Sequence, residues 1–219
     1  MRSDRSEKGD SVRVTVAENW WQVRGAERYL IESIAYFNEA RVYSRDGDET
    51  SSHEAIFKGL DVLRTGMDIN PLLLEPDHLL RSVELLLGSP GNRLAVYGTL
   101  RPGESNHRVI AGIKGEWISG FVRGRMEEYY GFPFFVPDAR SGTVPVEVLT
   151  SSELCNSWAA IDRFEGRWYD RSLIPILDSN GEVLAIANIY CKSRSPKIRL
   201  CESMDKLAST PDQDTSGFR

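Results

Sequence analysis

Two short segments, far apart in the chain, hold the residue types that could do chemistry. The first is Val96-Tyr97-Gly98-Thr99-Leu100-Arg101-Pro102-Gly103, which runs from the apolar stretch Leu94–Tyr97 into a glycine turn. A turn at Gly98-Thr99 can leave several backbone N–H groups unpaired and aimed the same way. Such a turn binds a carboxylate or phosphate without a cationic side chain. Taken alone, the segment reads more readily as an ordinary strand-to-loop turn. It is no nucleotide fingerprint, because neither GxGxxG nor GxxxxGK[ST] is present.

The second segment is Asp162-Arg163-Phe164-Glu165-Gly166. Glu165 follows Phe164, the last position of the apolar helical stripe Leu154, Trp158, Ile161, Phe164. A carboxylate at a helix C-terminus is opposed by the helix dipole, and apolar neighbours such as Phe164 and Trp168 disfavour its charged form. Both effects raise its pKa toward the range useful for proton transfer at neutral pH. The plainer reading is an exposed glutamate at a frayed helix end. Asp162, one turn back, reads as solvated or bonded to a backbone N–H. Tyr169 and Arg171 stand two apart in the following strand and share one face. The pattern leaves them evenly balanced between pocket wall and ordinary strand residues.

Other candidates carry less. His53, His78 and His107 have no metal-ligand spacing with the cysteines or with one another, and each reads as a surface or capping histidine. There is no Gly-x-Ser-x-Gly elbow. Cys155 falls within a predicted helix and reads as packed rather than reactive. The aromatic cluster Tyr129-Tyr130-Gly131-Phe132-Pro133-Phe134-Phe135 fits core at least as well as a pocket wall.

These residues need elements to position them. Residues 1–11 are charged and predicted to be mobile, and Val12, Val14 and Val16 alternate as in a short strand. Ala26–Ala40 carries Leu30, Ile34 and Phe37 at helical spacing. Arg45–Asp48 reads as a loop. Ser51 and Glu54 have the spacing of a capping box opening a second helix, which would bury Ile56, Leu60 and Leu63 and stop near Gly66. A third helix is predicted after Pro76, ending at Gly88-Ser89-Pro90. Beyond Asn92 the pattern changes to short apolar runs between glycines and prolines: Leu94–Tyr97, Trp117–Val122, Phe132–Val136, Val144–Leu149, Leu173–Leu177 and Val183–Cys191. These read as strands, with a hairpin at Asp178-Ser179-Asn180-Gly181. One helix, opened by Ser151-Ser152-Glu153, interrupts them. The organisation expected is 1–11 disordered, 12–90 mostly helical, 91–192 a β-rich domain and 193–219 a flexible tail.

Composition narrows the function classes. The chain has 219 residues, 41% of them hydrophobic, which suits one ordinary domain with an extension. A net charge of −5 argues against nucleic acid or an anionic membrane as the main partner. Three cysteines without framework spacing fit a reducing compartment. No apolar run has the length of a membrane span, and the polar start lacks the apolar core of a signal peptide. The location expected is cytoplasmic.

In this order and spacing, the pieces resemble the γ-glutamylcyclotransferase-like superfamily, particularly its AIG2-like branch, over roughly residues 92–192. Tyr97-Gly98-Thr99-Leu100-Arg101-Pro102-Gly103 resembles the glycine loop after that family's first strand, and Asn106-His107 follows at a similar spacing. Gly120 and Gly124-Arg125-Met126 resemble the entry of the next strand, and Gly131-Phe132-Pro133 its Gly-aromatic-Pro step. Ile161-Asp162-Arg163-Phe164-Glu165-Gly166 with Tyr169-Asp170-Arg171 resembles its Leu-Asp-x-x-Glu-Gly…Tyr-x-Arg segment. The resemblance implies an α+β fold, a small mixed β-barrel with flanking helices. It implies that Glu165 is the catalytic acid/base and that Tyr97, Gly98, Thr99 and Leu100, with Tyr169 and Arg171, bind substrate. The implied reaction is intramolecular aminolysis of a γ-glutamyl amine or peptide releasing 5-oxoproline, of lyase or acyltransferase type, without metal or cofactor. The implied substrate is a small molecule bearing a carboxylate or other anionic group.

Two departures stand out. Pro145 in Thr143-Val144-Pro145-Val146 occupies a place where family members usually carry glycine. The helical segment 12–90 has no counterpart in the compact family domain. It suits a protein-partner surface, a lid or a second domain. The alternatives are therefore a non-catalytic ligand- or protein-binding module on the same barrel, or an enzyme acting on an unusual conjugate.

Overall fold

The computed structural model describes residues 25–67, 79–129 and 131–194. The expected strand at Val12–Val16, the start of the third helix, His78, Tyr130 and most of the tail lie outside the described residues. Three helices come first: α1 (Glu27–Asp46), α2 (Glu49–Met67) and α3 (Leu79–Leu86). The strands are β1 (Arg93–Val96), β2 (Glu116–Tyr129), β3 (Phe132–Pro137), β4 (Thr143–Thr150), β5 (Tyr169–Leu177) and β6 (Val183–Lys192), with α4 (Leu154–Glu165) between β4 and β5.

The strand order is β3-β2-β4-β1-β6-β5, and β2 meets β5 again. Five strands thus close into a barrel, and β3 extends it along the far half of β2. β1 runs parallel to β6 and antiparallel to β4, so the barrel is mixed. The expected α+β architecture of small mixed barrel and helices is the one present. Pro145 sits in β4 opposite Phe121, outside the stretch of β4 paired with β1.

Side-chain alternation sorts the apolar residues into three cores. Ala95, Val122, Phe135, Val148, Ile174 and Ile189 point inward and fill the barrel. Leu94, Val96 and Leu149, on the opposite faces of their strands, pack with Leu154, Trp158 and Ile161 of α4. Leu173, Leu177, Val183 and Ile186, outward on β5 and β6, pack with Leu30, Ile34, Phe37, Leu60 and Leu63 of α1 and α2. The helices and the outer barrel wall share that last core.

Closure at β5 is thin, since only Phe121 opposite Leu177 joins it to β2. Along the rest of that edge α1 takes the place of a strand. The Asn38 amide donates to Leu173 O (2.9 Å) and accepts from Leu173 N–H (2.7 Å). Arg41 donates to Arg171 O (3.4 Å) and to Asn188 Oδ1 (2.8 Å). Arg45 pairs with Asp170. Positions 38, 41 and 45 follow helical spacing and lie on one side of α1.

Four details differ from the sequence expectation, the first being that Cys155, expected to be packed, is exposed on α4. Arg45 and Asp46 are helical, and α1 ends only at Gly47, whose φ of +83° places it in the left-handed cap. Ser51 is not a cap: α2 begins at Glu49, and Asp48 Oδ1 accepts the Ser51 N–H at 3.0 Å. Asp48 can do so because it directly follows the glycine that ends α1. Phe164 is 42% exposed, so the buried stripe of α4 ends at Ile161. Among the described residues no helix is long and apolar enough to cross a membrane.

Candidate active site

The glycine loop leaves β1 at the barrel rim. Its own hydrogen bonding starts late, with Arg101 N–H donating to Gly98 O at 3.2 Å. The amides of Gly98, Thr99 and Leu100 donate to no acceptor among the described residues. A side chain at Gly98 would enter open space, meeting only Pro133 Cγ at 3.9 Å. The loop is held from behind. Asn106 N–H donates to Thr99 O and Asn106 Nδ2 to Thr99 Oγ1, both at 3.0 Å. His107 Nδ1 lies 3.0 Å from Leu100 O, and only its protonated form can bond there, which fixes the neutral tautomer with the proton on Nδ1. Leu100 itself is buried against α4's core.

Tyr97 points into the barrel. Its hydroxyl donates to Tyr190 O (2.9 Å) and accepts from Phe135 N–H (3.2 Å), tying β1, β6 and β3 together at one atom. Tyr97→Phe is expected to leave a buried N–H and a buried carbonyl unpaired. The cost should be about 1–3 kcal/mol, measured by urea unfolding.

Glu165 closes α4. Gly166 follows with φ +67° and ψ −164°, a conformation open to glycine and strained for other residues, so the chain turns away sharply after the carboxylate. The carboxyl is largely removed from water, and burial pushes its pKa up to about 7. Burial raises the pKa values of Tyr97, Tyr169 and Tyr190, and the Glu165 charge adds to each rise, so the carboxylate lies in the neighbourhood of all three phenols. None of the three donates to it. Tyr97 donates to Tyr190 O, Tyr190 to Asp162 Oδ1 (2.5 Å) and Tyr169 to Pro133 O (3.1 Å). With every phenolic proton bonded elsewhere, burial acts on Glu165 unopposed.

Tyr169 stacks on Phe134 with ring centroids 4.7 Å apart, forming an aromatic wall beside the glutamate. Its own pKa is pushed up to about 12, by burial and then by Glu165. Arg171 is differently placed than a free substrate ligand would be. Its Nε and Nη2 reach Asp162 Oδ1 and Oδ2 (3.0 and 3.3 Å), and its guanidinium lies 4.4 Å over Trp158. Asp162 is partly exposed and bonds to side chains rather than to backbone. It joins Arg171 and Tyr190, and so anchors α4, the helix bearing Glu165, to β5 and β6.

Sequence reasoning missed three contributors: Asp162, Tyr190 and His107. Tyr190 looked like core within an apolar run, and His107 like surface. The only available signal was the spacing of Asn106-His107 behind the loop. Among the described residues no group of three or more His, Cys, Asp or Glu side chains converges as a metal site would. Cys191 is buried inside the barrel, and burial pushes its thiol up to about 12.

Solved structures to which the chain is similar include YkqA from Bacillus subtilis. It is 28% identical, with 47% of this chain and 36% of that one covered and a TM-score of 0.38. The chain therefore spans about a third of that relative's length. An uncharacterized protein, PH0828 from Pyrococcus horikoshii, is 24% identical, with 51% and 96% covered and a TM-score of 0.36. A protein from Arabidopsis thaliana solved in solution is 16% identical, with 58% and 95% covered and a TM-score of 0.38. No curated protein matches the chain. The family model for gamma-glutamyl cyclotransferase, AIG2-like, matches residues 94–206, over half of the chain. With β2 to β6, all but the first residue of β1, the glycine loop and Glu165 inside that span, the chain belongs to the gamma-glutamyl cyclotransferase, AIG2-like family.

Proposed function

We propose that this protein catalyses intramolecular aminolysis of a γ-glutamyl amine or peptide, with Glu165 as general acid and base. The observation that carries the reading is the place of the Glu165 carboxyl, half-buried at the end of α4 beside phenols whose protons are all bonded elsewhere, where burial pushes its pKa up to about 7. A group poised there can both take and return a proton at neutral pH. The substrate α-carboxylate sits on the amides of Gly98, Thr99 and Leu100, over the open space at Gly98. Ionised Glu165 removes a proton from the α-ammonium. The freed amine attacks the γ-carbonyl and forms the ring C–N bond. Glu165 then gives the proton to the departing nitrogen as the original amide C–N bond breaks, releasing 5-oxoproline and a free amine.

Tyr169 and Phe134 wall the site against water, and Tyr97 holds the strand ends on which the loop rests. Arg171 acts through Asp162 as a positioning residue for α4. Holding amine and carbonyl together removes the entropic cost of an intermolecular encounter.

The test is 5-oxoproline release from a panel of γ-glutamyl amines, dipeptides and amide conjugates. Turnover of at least one class is expected, with kcat/KM rising as pH rises through about 7 because the base must be ionised. A panel that binds but yields no 5-oxoproline at any pH would sink the proposal and leave a ligand-binding barrel.

A further inference from the structure

Beside the candidate site, between α1 and the barrel, lies a cavity of about 720 Å³. It shares Tyr169, Tyr190 and Gly166 with the surroundings of Glu165. Four arginines line it: Arg41 and Arg45 from α1, Arg167 and Arg171 from the stretch after α4. Three aspartates line it too, and each is within ion-pair distance of one of two of these arginines. Asp162 pairs with Arg171, while Asp170 and Asp46 both pair with Arg45.

The other two arginines have no carboxylate within ion-pair distance among the described residues. Arg41 keeps some exposed surface as a residue, but its charged end lies deep. Burial and then the nearby Arg171 charge lower its pKa to about 10. Its hydrogen bonds go to neutral oxygens, Asn188 Oδ1 and Arg171 O. Arg167 is exposed and rests 5.3 Å over the Trp168 ring. The cavity thus presents two guanidinium groups without a carboxylate at ion-pair distance, Arg41 feeling Glu84 and Asp162 only at longer range, and it reaches Gly166, the residue after Glu165. A guanidinium has five donors in a fixed fork that matches a carboxylate or phosphate.

Resting on the proposed reaction, we infer that this arginine cleft is the leaving-group subsite, and that the amine released carries an oxyanion, a carboxylate or phosphate, held by Arg41 and Arg167. The γ-glutamyl head lies at the glycine loop, Glu165 stands at the scissile amide, and the leaving portion extends past Tyr169 and Gly166 under α1. Helix α1 supplies six of the fourteen residues lining this cleft, so α1 takes part in choosing the substrate.

The test separates the cleft from the chemistry. Calorimetric binding to the Glu165→Gln protein would compare three conjugates: γ-glutamyl-ethanolamine, γ-glutamyl-glycine and γ-glutamyl-phosphoethanolamine. The expected result is tighter binding of at least one anionic conjugate, by about tenfold, with the other anion reporting which oxyanion fits. That preference should fall severalfold when Arg167→Gln is added, and likewise with Arg41→Gln. Among the described residues Arg167 makes no bond to α1, so its variant answers the question even if loss of Arg41 loosens the helix. Equal affinity for neutral and anionic conjugates, no binding of any, or a preference unchanged in both arginine variants would each overturn the subsite. Anion preference without 5-oxoproline release by the wild-type protein would support the cleft and sink the reaction. Release without anion preference would do the reverse.

Discussion

Glu165→Gln is expected to lower kcat on the best γ-glutamyl substrate by about 10²–10⁴-fold, the range typical of general acid–base catalysis. The amide keeps the shape of the acid but cannot cycle a proton. The same substitution is expected to stabilise the folded protein at pH 8. Wild-type Glu165 has a folded pKa near 7, above the ordinary 4.5 of its unfolded form. Between those values the folded state holds the extra proton, so stability falls as pH rises from about 4.5 to 7 and stays lower above. The penalty at pH 8 is on the order of 3 kcal/mol, and the variant escapes it. Urea unfolding of both proteins at pH 4.5 and pH 8 checks this. Their difference should be small at pH 4.5 and favour the variant at pH 8. An inactive variant with no gain in stability at pH 8 would mean that Glu165 is not a buried acid. A fully active one would remove it from the mechanism.

Leu60→Ala should destabilise the whole fold by about 2–5 kcal/mol. Leu60 is fully buried in α2, within the core that also holds Leu173 and Leu177 of β5 and Ile186 of β6. The cavity left by the truncation would therefore lie against the barrel wall. Far-ultraviolet circular dichroism, dominated by the helices, and tryptophan fluorescence, which includes Trp117 and Trp158 on the barrel side, should shift to the same lower urea midpoint. Separate midpoints, with the fluorescence transition unmoved, would show that the helices unfold independently of the barrel.

The strands were legible because their apolar alternation is broken by glycine and proline at the turns. The hairpin shows why: Asp178 Oδ1 accepts the N–H groups of Asn180 and Glu182, and Gly181 takes φ +87°. All of this is local chemistry. Glu165 and the glycine loop stood out for the same reason, as a carboxylate at a helix end and a turn after a strand. What was illegible is polar burial satisfied from far away. Asn38, Arg41 and Arg45 look in sequence like solvated polar residues at a helix end and in the loop after it, yet their partners are backbone and side chains more than a hundred residues later. Asp162 likewise has partners at Arg171 and Tyr190 that no periodicity reveals. Apolar spacing reports where carbon is buried. It carries no information on which distant donor meets a buried oxygen.

The contact between Asn38 and Leu173 has a consequence for association. A barrel joined at its seam by one residue pair leaves β5 with a row of main-chain donors and acceptors that a strand from another molecule could extend. The Asn38 amide occupies both groups of Leu173, and the Arg41 guanidinium takes the carbonyl of Arg171. A side-chain amide completes the ladder locally but offers no edge of its own for the next strand. Helix α1 therefore ends the sheet there, and a second copy finds no open row along that part of β5 on which to add.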